Sequence, residues 1–176
     1  RKSVLPGIAG EKTVMGNHCA KFISSPHARA GILEGNPIHK DMAYAAEKAK
    51  LKFIVNVVLN SEKKVIHAVA GYPLKAHAEG CRFIGGLCRI KVPESQIVVT
   101  GNGGYPLDQN IYQSVKGMSA AEAVCADRGV IIMVSECSDG HGGEYFFRQL
   151  SEAASPEKLL SEIEKVPQNM TVPDQW

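Results

Sequence analysis

The spacing of hydrophobic positions along this chain changes several times, and each change marks an element. Residues 1–35 show no period and are rich in Gly, Ser and Pro. So long an irregular stretch is unusual in a compact domain unless it is functional or half of something larger. Asn36-Pro37 then opens a helix, with Ile38, Met42, Ala45, Ala46 and Ala49 at helical spacing and Pro in the first turn. Phe53 to Leu59 is a β-branched run that predicts a buried strand. Asn60 to Lys63 is a polar turn, and Val65 to Ala70 predicts the partner strand of a hairpin. Residues 73–89 predict a second helix, with Leu74, Cys81, Ile84 and Leu87 on one stripe and Gly85-Gly86 weakening its end.

Pro93-Glu94 marks a boundary, after which the pattern becomes strand (96–100), glycine turn, helix (108–117), short helix (119–126), strand (129–135) and helix (143–154). Residues 156–165 predict a last charged helix. Asp108 reads as the N-cap of the first of these helices, Ser119 with Glu122 as a capping box, and Asp127-Arg128-Gly129 as a helix exit. Strands alternating with helices predict a parallel, right-handed unit. The expected class is α/β. Residues 1–92 form the end of one α/β lobe (helix, β-hairpin, helix). Residues 93–176 form a small Rossmann-like parallel α/β domain, incomplete at its C-terminus. Ligands of such sheets bind beyond the carboxyl ends of the strands. The loops at those ends are Gly101 to Asp108 and Ser135 to Gly143.

The first of those loops carries the most chemistry. Gly101 to Gly117 reads GNGGYPLDQNIYQSVKG. A glycine-rich turn between strand and helix is expected to present backbone N–H groups at the positive helix end. Gln113 and Lys116, three residues apart, share a helical face. Together these features suit a small carboxylate.

Composition narrows the partners. The net charge is +2 and no Lys/Arg cluster stands out, which argues against nucleic acid. No apolar run approaches a membrane span, and no secretory signal is present, although a chain starting at Arg1 without Met suggests a missing N-terminus. Cys19, Cys81, Cys88, Cys125 and Cys137 are odd in number and contain no C-x-x-C pair. They read as reduced, cytoplasmic thiols rather than disulfides or a zinc site.

The segments RKSVLPGIAGEKTVMGNH, NPIHKDM, NGGYPLDQNIYQSVKGM, Arg128 to Met133, and DGHGG together resemble the nickel-pincer lactate racemase family, over essentially the whole chain. The resemblance implies a pyridinium-based nickel-pincer nucleotide tethered to a lysine, with its nickel held by a histidine of the same chain. Lys2, His18, Gln113 and Lys116 match the family's tether, nickel ligand and two substrate contacts in one ungapped register. A pincer that fills a plane with two sulfurs and a carbon needs one imidazole to complete square-planar Ni(II). Trp176 stands at a register where the family has a Trp near the cofactor. By the same resemblance the reaction is racemisation or epimerisation of a 2-hydroxy acid by hydride transfer to and from the cofactor. The family's two proton-transferring histidines fall before Arg1, so the chain alone is expected to be inactive. Cofactor-biosynthesis proteins and the missing N-terminal segment are the implied partners. The turn before Gln113 departs from that of the lactate-active member, which leaves the choice of 2-hydroxy acid open.

The remaining histidines read more plainly. His141 is either an extra ligand or a residue closing a turn, and the latter is favoured. His27, His39, His67 and His77 read as structural, without thiol or carboxylate partners at ligand spacing. An alternative from another class is a non-catalytic α/β module that binds an acidic metabolite or nucleotide through the Gly101 to Gly104 turn.

Overall fold

The computed structural model describes residues 2–170. The chain divides into two compact units, one of residues 2–90 with 166–170 and one of 91–165. The architecture is mixed α/β, with an antiparallel hairpin in the first unit and a parallel strand pair in the second.

In the first unit the expected irregular stretch contains two short helices, α1 (Glu11–Asn17) and α2 (Ala20–Ile23). Their brevity hides them from a periodicity reading, since neither is long enough to show a repeating stripe. Next come α3 (Pro37–Lys48), β1 (Ile54–Leu59), β2 (Val65–Gly71) and α4 (Pro73–Cys88). Met42 and Ala46 are buried on α3, as its spacing predicts, while Ala49 lies beyond the helix and is exposed. Asn36 caps α3 by accepting from His39 N at 3.2 Å, and its amide donates to Ile32 O at 3.0 Å.

The packing departs from the pattern in two places. The stripe Leu74, Cys81, Ile84, Leu87 is half-buried at Leu74 and Cys81 and exposed at Ile84 and Leu87. Pro73 and Ala76 are the buried residues, Gly80 sits beside Val69, and Phe83 stacks on His67 with centroids 3.9 Å apart. Cys81 and Ile84 instead line an open cavity of about 1160 Å³ with Ile32, Leu33, Val58 and Cys88. Strand β1 is not buried on both faces either: Val55, Val57 and Leu59 are exposed.

The second unit holds β3 (Ser95–Gly101), α5 (Ile111–Ala121), β4 (Cys125–Val134), α6 (Glu144–Glu152) and α7 (Pro156–Glu164). β3 and β4 pair in parallel, Ile97 opposite Val130 through Gly101 opposite Val134. The separate helix expected at 119–126 does not form. α5 runs on to Ala121, and the strand begins at Cys125. Asp127-Arg128-Gly129 is accordingly not a helix exit. It lies within β4, where the register with β3 slips and Arg128 takes φ +59°. A left-handed residue where the ladder slips is the mark of a β-bulge. α5 lies close on the strands because Gly117 carries no side chain. A Cβ there would stand 2.6 Å from Asn102 Oδ1 and 3.0 Å from Met133 Sδ. Ile97, Val99, Val130, Ile132 and Val134 remain exposed.

Candidate functional site at the strand ends and the α1 terminus

The carboxyl ends of β3 and β4 lead into two loops that are tied to each other and to α5. Ser135 Oγ donates to Asp108 O at 3.0 Å, and Cys137 N donates to the same oxygen at 3.1 Å. Asp139 N donates to Gln109 O at 2.7 Å. Ser114, buried on α5, meets Ser135 Oγ at 2.7 Å. Gly140 and Gly142 take φ +67° and +90°, which lets the second loop fold tightly over the start of the helix.

That closure changes the expected chemistry of the helix end. The first amides of α5 are already taken: Ile111 N donates to Gly140 O at 3.1 Å, Tyr112 N to His141 O at 3.2 Å, and Gln113 N to Asn110 Oδ1 at 2.9 Å. The positive end of α5 is therefore not a bare anion site. Asn110, not Asp108, is the N-cap. Asp108 is buried, with Oδ2 accepting from Glu136 N at 3.4 Å and Oδ1 lacking a hydrogen-bond partner among the described residues.

Gln113 and Lys116 come together as their spacing predicts. Lys116 Nζ donates to Gln113 Oε1 at 2.5 Å, and the ammonium is exposed while Gln113 is half-buried. An amide and an ammonium side by side offer donors to a carboxylate or an oxyanion. Asn102, in the glycine turn, donates to Leu107 O at 2.8 Å and to Gln113 O at 2.7 Å. Sequence reasoning missed Asn102, Asn110 and Asp139. Asn110 had a legible signal, since Asn followed three residues later by Gln is a capping spacing. The other two act through the tertiary fold and leave no local pattern.

His18 is the C-cap of α1. The residues on either side are almost wholly buried, Asn17 and Cys19 each at 1% exposure. Asn17 donates to Asp41 Oδ2 at 2.9 Å and Ile38 O at 3.3 Å on α3, which fixes the backbone that carries His18. His18 Nδ1 lies 3.1 Å from Val14 O. A carbonyl can only accept, so this contact is a hydrogen bond in the tautomer that carries its proton on Nδ1. Metal-binding histidines are typically set up in this way. Lys2 is exposed in the turn-rich segment before α1, where its carbonyl accepts from Gly7 N at 2.9 Å. It borders a cavity of about 370 Å³ with Phe53, Ile54, Val55 and His77, whose lining does not include His18. No group of three or more His, Cys, Asp or Glu suited to a metal occurs among the described residues. Trp176 lies outside the described residues.

His39, His67, His77 and His141 stack on other rings, whereas His27 is exposed. His141 stacks on Phe147 at 4.6 Å, His39 on His77 at 5.7 Å. His77 does have a thiol partner, contrary to expectation: Cys81 Sγ is 3.5 Å from its Nε2, one helical turn away. All five cysteines are free. No helix among the described residues is long and apolar enough to cross a membrane.

Comparison with known proteins identifies the family. Residues 1–31 match the lactate racemase N-terminal domain and residues 90–176 the lactate racemase C-terminal domain. The chain is 53% identical over its full length to the lactate racemase of Thermoanaerobacterium thermosaccharolyticum and, at the same identity, to that of Lactiplantibacillus plantarum. It spans 41% and 42% of those two proteins. The solved structure of the lactate racemase apoprotein from T. thermosaccharolyticum is similar over 99% of this chain and 42% of its own, with a TM-score of 0.95. The chain belongs to the lactate racemase family.

Proposed function

We propose that this chain is the part of a 2-hydroxy acid racemase or epimerase that anchors the cofactor and contacts the substrate. The observation that carries the reading is the Gln113–Lys116 pair, fixed at the carboxyl ends of two parallel strands. Lys116 would hold the substrate carboxylate or a developing oxyanion with a charge-assisted bond, and Gln113 would orient it. Residues 1–92 act as the anchoring part of a larger lobe and residues 93–176 as the C-terminal α/β domain. Lys2 is the tether and His18, through Nε2, the nickel ligand, with Trp176 beside the cofactor. When bound, a nickel-pincer nucleotide supplies a reversible two-electron acceptor for the hydrogen on the substrate's C2.

The chain's own residues leave one task undone. Proton transfer at the substrate hydroxyl needs positioned bases on both faces. Gln113 does not titrate, and Lys116 serves best as a cation. The family resemblance places the two proton-transferring histidines before Arg1, so on this reading the chain alone is inactive. Free cysteines are in keeping with a cytoplasmic enzyme.

The test uses the full-length protein, co-expressed with cofactor-biosynthesis proteins and incubated with single enantiomers of lactate and related 2-hydroxy acids. Chiral analysis should show racemisation of at least one. Binding of acidic metabolites with no loss of optical purity, in nickel-loaded protein, would instead support a non-catalytic binding module.

A further inference from the structure

Gln113 is held at both of its backbone groups by asparagine side chains from different segments. Its N–H donates to Asn110 Oδ1 at 2.9 Å, and its carbonyl accepts from Asn102 Nδ2 at 2.7 Å. The amide of Asn110 then donates to Asp139 Oδ2 at 3.1 Å, across to the loop that follows β4. Asn110 is 5% exposed, so its two bonds are partly shielded from competing water. Neither asparagine can be rotated by half a turn without loss. A reversed Asn110 would aim its amide at the Gln113 N–H and its oxygen at a carboxylate. A reversed Asn102 would set its oxygen against two carbonyls. Gly142 completes the fit, since a Cβ there would lie 2.5 Å from Asn110 Cγ.

We propose that Asn102 and Asn110 are positioning residues that fix Gln113, and with it Lys116 one turn along α5, and that Asp139 holds Asn110 in that role. The proposal rests on the reading of Gln113 and Lys116 as substrate contacts. Both loops at the strand ends thereby set the position of one side-chain pair. A displacement of an ångström at such a pair is enough to cost a large share of turnover.

The test is made in the full-length, cofactor-loaded protein with two readouts, kcat/KM and amide hydrogen exchange across residues 111–116. Asn110→Asp keeps the capping oxygen but turns the donor facing Asp139 into a second carboxylate. It should lower kcat/KM by roughly tenfold to a hundredfold and speed exchange in that segment. Adding Asp139→Asn should restore both, because the amide donor then comes from position 139. Asn102→Asp should impair both readouts and gain nothing from Asp139→Asn. If Asn110→Asp does not fold, Asn110→Ser keeps a cap and shortens the reach to Asp139, and is read in the same way. Unchanged exchange and kcat/KM in Asn110→Asp, or no recovery in the double variant, would overturn the proposal. So would a lowered thermal midpoint with both readouts intact, which would make Asn110 a cap and nothing more. A wild-type protein that racemises no 2-hydroxy acid would sink the functional reading, and the exchange data would still decide whether the clamp exists.

Discussion

His18 and Lys2 are assigned to one cofactor, yet the fold treats them in opposite ways. His18 sits between two residues that are 1% exposed, with Asn17 bonded to α3 and its own ring bonded to Val14 O. Lys2 lies on an exposed turn held by backbone bonds between near neighbours. Gln113 resembles His18 in part, since the buried cap Asn110 and the half-buried Asn102 of the glycine turn hold its backbone. The difference is in keeping with the proposed roles. A metal ligand or substrate contact loses function when its geometry drifts, so it is fixed through tertiary bonds. A tether needs reach and a reactive amine, and an exposed lysine on a flexible four-carbon stem supplies both.

The comparison is broken most severely at the metal. His18→Ala in the full-length protein should leave the tethered cofactor in place and remove nearly all nickel, read by elemental analysis beside intact mass. Nickel at wild-type stoichiometry would remove His18 from the ligand set. Lys116→Ala comes next. It should lower kcat/KM by roughly a hundredfold, and Gln113→Ala by less, because a charge-assisted bond is about twice as strong as a neutral one. Equal turnover in wild type and Lys116→Ala would mean that α5 does not face the substrate.

Smaller effects sharpen the contrast between fixed and free positions. Gly117→Ala forces a methyl against Asn102 Oδ1 and Met133 Sδ, and Asn102 is anchored by two carbonyls and yields poorly. Overpacking of this kind costs about 1–3 kcal/mol, measurable by denaturant unfolding, and should lower turnover as α5 lifts. Asn36 is the counterpart of Asn110 in the first unit. It caps α3, but its second bond goes to nearby Ile32 O. Asn36→Ala should cost about 1 kcal/mol of stability and leave kcat/KM unchanged. A matching loss of turnover would show that caps in general, rather than the Asn110 arrangement, control the site.

Much of the fold was legible from local pattern. α3, the β1–β2 hairpin and β3 declare themselves through Pro at a first turn, β-branched runs and a polar turn between them. The misreadings share a cause. Ser119 with Glu122 has the form of a capping box, and Arg128-Gly129 that of a helix exit, but α5 continues past one and β4 runs through the other. Local signals lost to strand pairing with β3, which no window around residue 120 contains. On α4 two members of the stripe, Cys81 and Ile84, line an open cavity, while the small residue Ala76 is buried and Gly80 sits beside Val69. At the candidate site, the spacing of Gln113 and Lys116 was enough to place them together. The occupied amides of α5 were not legible, since they depend on carbonyls of Gly140 and His141 delivered by a distant loop.

The central proposal is that Lys2 of this chain is the cofactor tether. Intact mass of the full-length protein, co-expressed with the cofactor-biosynthesis proteins, tests it most directly when wild type and Lys2→Ala are compared. The account predicts a cofactor-sized adduct on the wild type, mapped to Lys2 by peptide analysis, and an unmodified Lys2→Ala protein. An adduct of the same mass on Lys2→Ala would contradict it.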